Sequence, residues 1–306
     1  FAPAKYGTIE VPDVFYLNGK WYMTCYTGTG HGNRGIFSDP HITRGSIYAV
    51  ADKPEGPYYE IEGDNVYGGA ATAINSSRTV LFEDKRYAFT TLGASSGSWG
   101  VTLPTVVDTL PDGRLRQFYS PLTQSLRTSA VISPDNPPSI SKLPFPIYQW
   151  AKIPGGKWKA DKSAYLGESA TGWQTADLGV GSENIEIEAN VEIISGCACG
   201  LVYRPDKTDQ GTDQDIVIML DAENQQVSVT RTPLFEECYI RNFPVKTGKK
   251  HNVKVSVRYP RIDVYIDDIL IIQCAVNPSA TPKPSVGLFV DRAKARISEV
   301  SAWKLK

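Results

Sequence analysis

Hydrophobic positions along this chain recur with the period of two that marks extended strands, and almost nowhere with the period of a helix. In the first half, apolar and aromatic runs fall at residues 14–17, 21–27, 46–51, 58–61, 79–82, 87–92 and 100–107. Turn-rich stretches separate them: 28–32, KPEGP at 53–57, Gly68-Gly69 and 93–97. The strongest local signal is Asn18-Gly19-Lys20 between VFYL and WYMTCY, because Asn-Gly flanked by β-branched and aromatic residues predicts a tight hairpin. VFYLNGKWYMT at 14–24 recurs as VLFEDKRYAFT at 80–90 once one turn residue is deleted. Each copy reads as a hairpin followed by a Gly-bearing loop and another strand. A repeat of roughly 65 residues made of antiparallel strands suggests propeller blades; a β-sandwich with two like hairpins is the alternative.

Beyond residue 120 the pattern changes. SPDNPPSISKLPFP at 133–146 is proline-rich and predicts an extended connector. Alternation then returns: IEIEANVEII at 185–194 puts Ile and Val on one face and Glu on the other, a half-buried strand. Further strands are expected at 199–203, 215–220, 226–231, 252–258, 262–266, 269–274, 286–290 and 295–305. That many antiparallel strands argue for a two-sheet sandwich. The fold class is therefore all-β, with a repeat of propeller-blade or sandwich type over 1–130, a proline-rich linker over 131–156 and a β-sandwich over 157–306.

Composition removes several functions. The formal net charge of the 306 residues is −1, so nothing points to nucleic acid or an anionic membrane surface as partner. No apolar stretch approaches the ~20 residues that cross a bilayer. Five cysteines form neither a disulfide framework nor a metal signature. Cys197-Ala198-Cys199 points two thiols to one strand face, but this spacing is not a zinc site without two further ligands; buried small residues are the expectation. Asp206, Asp209, Asp213 and Asp215 lack the ligand order of an EF-hand and read as a solvated loop. No metal or cofactor is expected. Residue 1 is Phe, and the chain reads as one that starts after processing or cleavage, which leaves the compartment open and fits a secreted or periplasmic protein.

Candidate chemistry is sparse. Glu10 lies between Ile9 and Val11-Pro12, just ahead of the first hairpin, and Pro12 biases Val11 towards an extended backbone. The local pattern leaves two readings open: an ordinary glutamate at a strand end, or a carboxyl set among apolar neighbours for general-acid work. His31 and Arg34, with His41 and Arg44, share the loop over 28–45; Trp99 follows the Gly/Ser loop at 93–98. No phosphate loop, Ser-His-Asp set or HExxH motif is present.

IEVPDVFYLNGKWYMT resembles the Glu-Cys-Pro-Asp motif and following hairpin of glycoside hydrolase family 32, the β-fructosidases, with Val11 in place of the usual Cys. YAVADKPEGPY at 48–58 is similar to a blade strand and loop of families 32 and 43. LPTVVDTLPDGRLRQF at 103–118 resembles the segment that closes the family 32 propeller, with Thr105 where an Arg is common. GLVYRP and VGLFVDR resemble the concanavalin-like domain that follows that propeller. The resemblance implies a partial five-bladed propeller over 1–130, followed by a supporting sandwich. It implies a carbohydrate substrate of the sucrose, levan or inulin type, hydrolysed with retention. Glu10 would be the general acid/base and Asp13 would orient the sugar site. His31 and Arg34 would bind hydroxyls at the propeller mouth, and Trp99 would stack on a sugar ring. In the family the nucleophilic and transition-state-stabilising aspartates precede the glutamate, yet residues 1–9 contain no Asp. The nucleophile and the missing blades are therefore expected from another segment or chain. Two alternatives stand beside this: a non-catalytic carbohydrate-binding or accessory protein, and a family 43-like enzyme acting on arabinosides or xylosides.

Overall fold

The computed structural model describes residues 9–27, 45–61, 66–68, 74–93, 99–140, 157–161, 164–204, 215–231, 236–258, 261–275 and 284–306. The chain divides into two compact units, Phe1–Ser125 with Arg261–Asn277, and Leu126–Pro260 with Pro278–Lys306.

The first unit holds two antiparallel meanders with the build of propeller blades. One runs in the order β1 (Ile9–Leu17), β2 (Lys20–Thr27), β3 (Gly45–Ala51), β4 (Val66–Gly68). The other comprises β5 (Ile74–Phe82), β6 (Lys85–Gly93), β7 (Trp99–Val101), β8 (Thr105–Thr109) and β9 (Leu115–Phe118). Strand β6 pairs with β5 on one side and with β7 and then β8 on the other. The strand expected at 100–107 is thus two pieces, broken ahead of Pro104, whose nitrogen has no proton for the ladder. The strand expected at 58–61 reduces to one bridge between Val50 and Tyr59, and the three-residue β4 takes the fourth position of the sheet.

Both repeated hairpins turn in two residues. Asn18 and Gly19 have φ of 46° and 84°, Glu83 and Asp84 have 46° and 60°, and Leu17↔Lys20 and Phe82↔Lys85 close the ladders. Two positive-φ residues match the twist of the flanking strands, which is why Asn-Gly signals this turn. The deletion of a turn residue expected from the repeat does not occur: both copies are eleven residues long and both turns are two residues, with the turn one place earlier in the second copy. An aromatic-rich core joins the meanders: Phe15, Tyr22, Tyr48, Val50, Tyr67, Ala88, Val107 and Leu115. Asn18 Nδ2 donates to Asp108 Oδ1 at 2.7 Å and to Thr109 Oγ1 at 2.8 Å, which ties the first hairpin tip to the end of β8.

After a single capped turn, α1 (Pro121–Gln124), the second unit begins. Its strands are β10 (Arg127–Ile132), β11 (Lys157–Asp161), β12 (Ala164–Glu168), β13 (Trp173–Asp177), β14 (Asn184–Arg204), β15 (Ile216–Asp221), β16 (Gln226–Arg231), β17 (Glu236–Asn242) and β18 (Lys250–Arg258). The hairpin β19 (Arg261–Ile266) and β20 (Ile269–Ala275) belongs with the first unit, where Ile269 pairs with Phe118 and the Tyr119 and Tyr265 rings meet edge-on at 5.4 Å. Hydrophobic alternation, which says only that one face is buried, could not distinguish that placement from a sandwich strand. The last strand, β21 (Ser285–Leu305), runs antiparallel to β14 over most of its length.

Each of these two long strands was expected as two separate strands. Their halves have different neighbours: β14 pairs with β18 over Asn184–Glu192 and with β15 over Ala198–Tyr203. Between the halves, Gly196 has φ of 94°, and a Cβ there would lie 2.2 Å from the Arg292 carbonyl oxygen. A glycine corner lets both strands pass from one sheet of the sandwich to the other.

The glutamate face of β14 was expected to meet water. Instead Glu186 is fully buried, because Arg127 from β10 lies across it. Ser256 Oγ donates to Glu186 Oε2 at 2.8 Å, Arg127 Nη2 donates to Glu188 Oε2 at 3.0 Å, and the Arg127 guanidinium stacks 3.7 Å from the Trp303 ring centroid. A buried carboxylate is tolerated only with this kind of pairing.

Candidate active site

The candidate site is built on an irregularity in β1. Glu10 opposes Tyr26 and Asp13 opposes Thr24, so Val11 and Pro12 together face the single residue Cys25. This is a β-bulge, and Pro12 is accommodated there because β1 lies at the edge of its sheet. Pro12 predicts an extended Val11; the observed φ is 58°. A β-branched residue at positive φ is a genuine outlier, and strain of this kind costs about 1–3 kcal/mol.

The bulge decides where Glu10 points. Tyr26 and Thr24 are two apart on β2 and share a face, so their partners Glu10 and Asp13 share one too. Without the extra residue, Asp13↔Thr24 would carry Glu10 to the opposite face, alongside Val14 and Tyr16. In the observed register Glu10 lies on the side of Asp13 and the buried Phe15, at the solvent-exposed start of the strand.

Asp13 is half-buried, and the neighbouring hairpin grips it. Its Oδ2 accepts from the Thr79 backbone N–H at 3.0 Å and from Thr79 Oγ1 at 2.6 Å. Arg86 Nη1 donates to Thr79 Oγ1 at 2.9 Å, and its guanidinium lies 4.4 Å from the Phe15 ring centroid. Arg78 Nη1 donates to the Pro12 carbonyl at 2.7 Å. Tyr67 completes the cluster: burial, reinforced by the Asp13 charge, pushes its phenol well above the usual range. Thr24 Oγ1, Tyr67 Oη and Arg86 Nε are buried without a hydrogen-bond partner among the described residues. Buried polar atoms are ordinarily paired, and these three lie close to Asp13.

The overall fold recurs in solved structures. The chain matches the Bombyx mori GH32 β-fructofuranosidase BmSUC1 with a TM-score of 0.58 and 15% identity, covering 97% of this chain and 54% of that one. It matches the Lactobacillus gasseri sucrose-6-phosphate hydrolase with a TM-score of 0.61 and 11% identity, over 97% and 55% of the two chains. The Aspergillus kawachii β-fructofuranosidase gives 0.62 and 9%, over 96% and 57%. This is a GH32-like fold. The chain spans little more than half the length of these proteins. No family model and no curated protein matches the sequence.

Within this GH32-like fold, the other sequence candidates fall as follows. His31 and Arg34, with His41 and Arg44, lie outside the described residues, as do Asp206, Asp209 and Asp213; Trp99 opens β7, with its side chain outside the description. Thr105, at the position where the resemblance suggests an Arg, is buried and donates to Gln117 Oε1 at 2.6 Å. Gln117 Nε2 in turn donates to Ser77 Oγ at 3.2 Å, and Ser77 bonds Thr90 at 2.6 Å, forming a buried polar seam across four strands. Cys197 and Cys199 are both buried; Cys197 Sγ lies 3.1 Å from Glu223 Oε2 and 3.2 Å from Arg292 Nη2. Among the described residues no group of three or more His, Cys, Asp or Glu is placed to hold a metal ion, and no helix is long and apolar enough to cross a membrane.

The buried thiols and phenols give the chain a definite alkaline response. Burial pushes Cys25 and Cys197 from 9.0 up to about 12, and Tyr22 and Tyr165 from 10.0 up to about 12. The unfolded chain therefore releases these protons at lower pH than the folded one. Their contribution to stability is complete below about pH 9 and is lost as pH rises towards 12. Urea midpoints measured at pH 8 and 10.5 should fall at the higher value, and an unchanged or rising midpoint would contradict these assignments.

Proposed function

We propose that this chain supplies the general acid/base of a retaining glycosidase that acts on β-fructosides of the sucrose, levan or inulin type. Glu10 protonates the departing glycosidic oxygen and then, as carboxylate, takes a proton from the water that releases the sugar. The nucleophile is an aspartate outside these residues, ~5–5.5 Å from Glu10 as retention requires. The remaining blades, contributed by another segment or chain, complete the propeller and cover the edge of β1. His31 and Arg34 bind sugar hydroxyls, Trp99 stacks on a ring, and Asp13 fixes the strand from which Glu10 projects. Residues 1–130, together with the β19–β20 hairpin, form the catalytic-type part, residues 131–156 the linker and the rest of residues 157–306 a supporting domain.

One observation carries this reading: a GH32-like blade bears a glutamate on a strained bulge that turns its side chain to the face of Asp13. Strained backbone is retained where the surrounding structure enforces it, and such places cluster at functional sites. The test is the configuration of the first product. With the complete propeller, sucrose hydrolysed in aqueous methanol should yield methyl β-fructofuranoside, since a covalent intermediate returns the sugar with its original configuration. Formation of the α-anomer would overturn the retaining mechanism. Fructan binding without turnover would favour the carbohydrate-binding alternative.

A further inference from the structure

We propose that Thr79 and Arg78 of β5 are positioning residues for Glu10, holding from the neighbouring blade the bulge that decides which face of the sheet Glu10 occupies. This rests on the reading of Glu10 as the acid/base. Both residues are 66 positions from their partners in sequence, and neither touches Glu10 in any bond described above.

Among the described residues strand β1 is an edge strand, paired only through β2, and nothing in its own ladder forbids the regular register. In that register Val11 would recover ordinary extended backbone, while Glu10 would turn to the outer face. A strained conformer persists only when its surroundings over-determine it. Here the restraints lie on the downstream side of the bulge. Arg78 holds the Pro12 carbonyl at 2.7 Å, and Thr79 holds the Asp13 carboxylate with two bonds at 3.0 and 2.6 Å. Arg86 Nη1, at 2.9 Å from Thr79 Oγ1, fixes the hydroxyl in the orientation that donates to Asp13. Two successive residues of β5 thus clamp two successive residues of β1. A misplacement of about 1 Å at a reacting group is enough to cost ~10²-fold in rate, so the clamp bears on turnover without meeting substrate.

The experiment compares Thr79→Val, Thr79→Ser and Arg78→Ala with the unaltered protein in two readouts. The first is NMR of valine-labelled chain, in which positive φ at Val11 gives a short intraresidue amide-to-α-proton distance and a strong cross-peak. The signature should be present in the unaltered chain and in Thr79→Ser, lost in Thr79→Val and weakened in Arg78→Ala. The second is hydrolysis by the complete propeller: kcat should fall ~10–100-fold in Thr79→Val with KM changed less than about twofold, and Thr79→Ser should recover most of the loss. If Thr79→Val does not fold, Arg78→Ala decides, because the Arg78 side chain is exposed and its removal leaves the core intact. An unchanged Val11 signature in the folded variants would overturn the clamp whatever the activity. Absence of hydrolysis by the unaltered protein would defeat the functional reading instead, and the valine signature would still decide the clamp.

Discussion

In the complete propeller, Glu10→Gln lowers kcat for sucrose by ~10²–10⁴-fold, the usual value of a positioned general acid. Glutamine keeps the shape and removes the proton. Substrates with a nitrophenol leaving group lose less in the first step, because a good leaving group needs little protonation. The melting temperature should barely move: Glu10 is exposed, and no hydrogen bond of the fold described above depends on its carboxylate. Loss of rate together with loss of fold would mean that Glu10 supports the hairpin. Unchanged rate in well-folded protein would remove Glu10 from the chemistry.

The second large effect is on stability and lies in the sandwich. Arg204 donates from Nε to Asp215 Oδ1 at 2.6 Å, from Nη2 to Asp215 Oδ2 at 2.8 Å and from Nη1 to Asp177 Oδ2 at 3.3 Å. All three side chains are buried, with 9%, 2% and 3% exposure. Arg204→Met leaves two carboxylates in the interior without their counter-charge, a loss of about 3–5 kcal/mol. Lys20→Met, at the pair with Asp52 whose side chains are 46% and 73% exposed, should cost far less, because water screens an exposed pair. Urea midpoints of the two variants should differ clearly in that order, and equal midpoints would contradict the weight placed on burial.

Much of the architecture was legible in the sequence because it is carried by local rules. Asn18-Gly19 and the alternation on either side specify the first hairpin, and the repeat at 80–90 specifies its counterpart in the next blade. Burial of charge was not legible. IEIEANVEII looks like a strand with one wet face, and what buries Glu186 on that face, Arg127 and Ser256, lies 59 and 70 residues away in sequence. The continuity of β14 and β21 through a glycine corner was hidden for a related reason, since Gly196 reads as a strand break when its partner Arg292–Ala293 is unknown.

The candidate site divides in the same way. Glu10 and Asp13 stand out from their neighbours, whereas Thr24, Tyr67, Arg78, Thr79 and Arg86 carry no local mark. The repeat does not mark them either: counted back from the turns at Asn18-Gly19 and Glu83-Asp84, Asp13 is equivalent to Arg78 and not to Thr79. The bulge itself ran against expectation. Pro12 argued for an extended Val11, and tertiary bonds from Arg78 and Thr79 overrode that preference.

The claim that Glu10 is the acid/base of a retaining enzyme meets its most direct test in azide rescue. In Glu10→Ala of the complete propeller, a nitrophenyl β-fructofuranoside still forms the covalent intermediate, but water is no longer activated to release it. Azide needs no general base and fits the space left by the carboxylate. Added azide should therefore raise turnover and give β-fructofuranosyl azide with retained configuration. A variant that azide does not accelerate, and that hydrolyses the substrate as fast as the unaltered protein, would contradict the role assigned to Glu10.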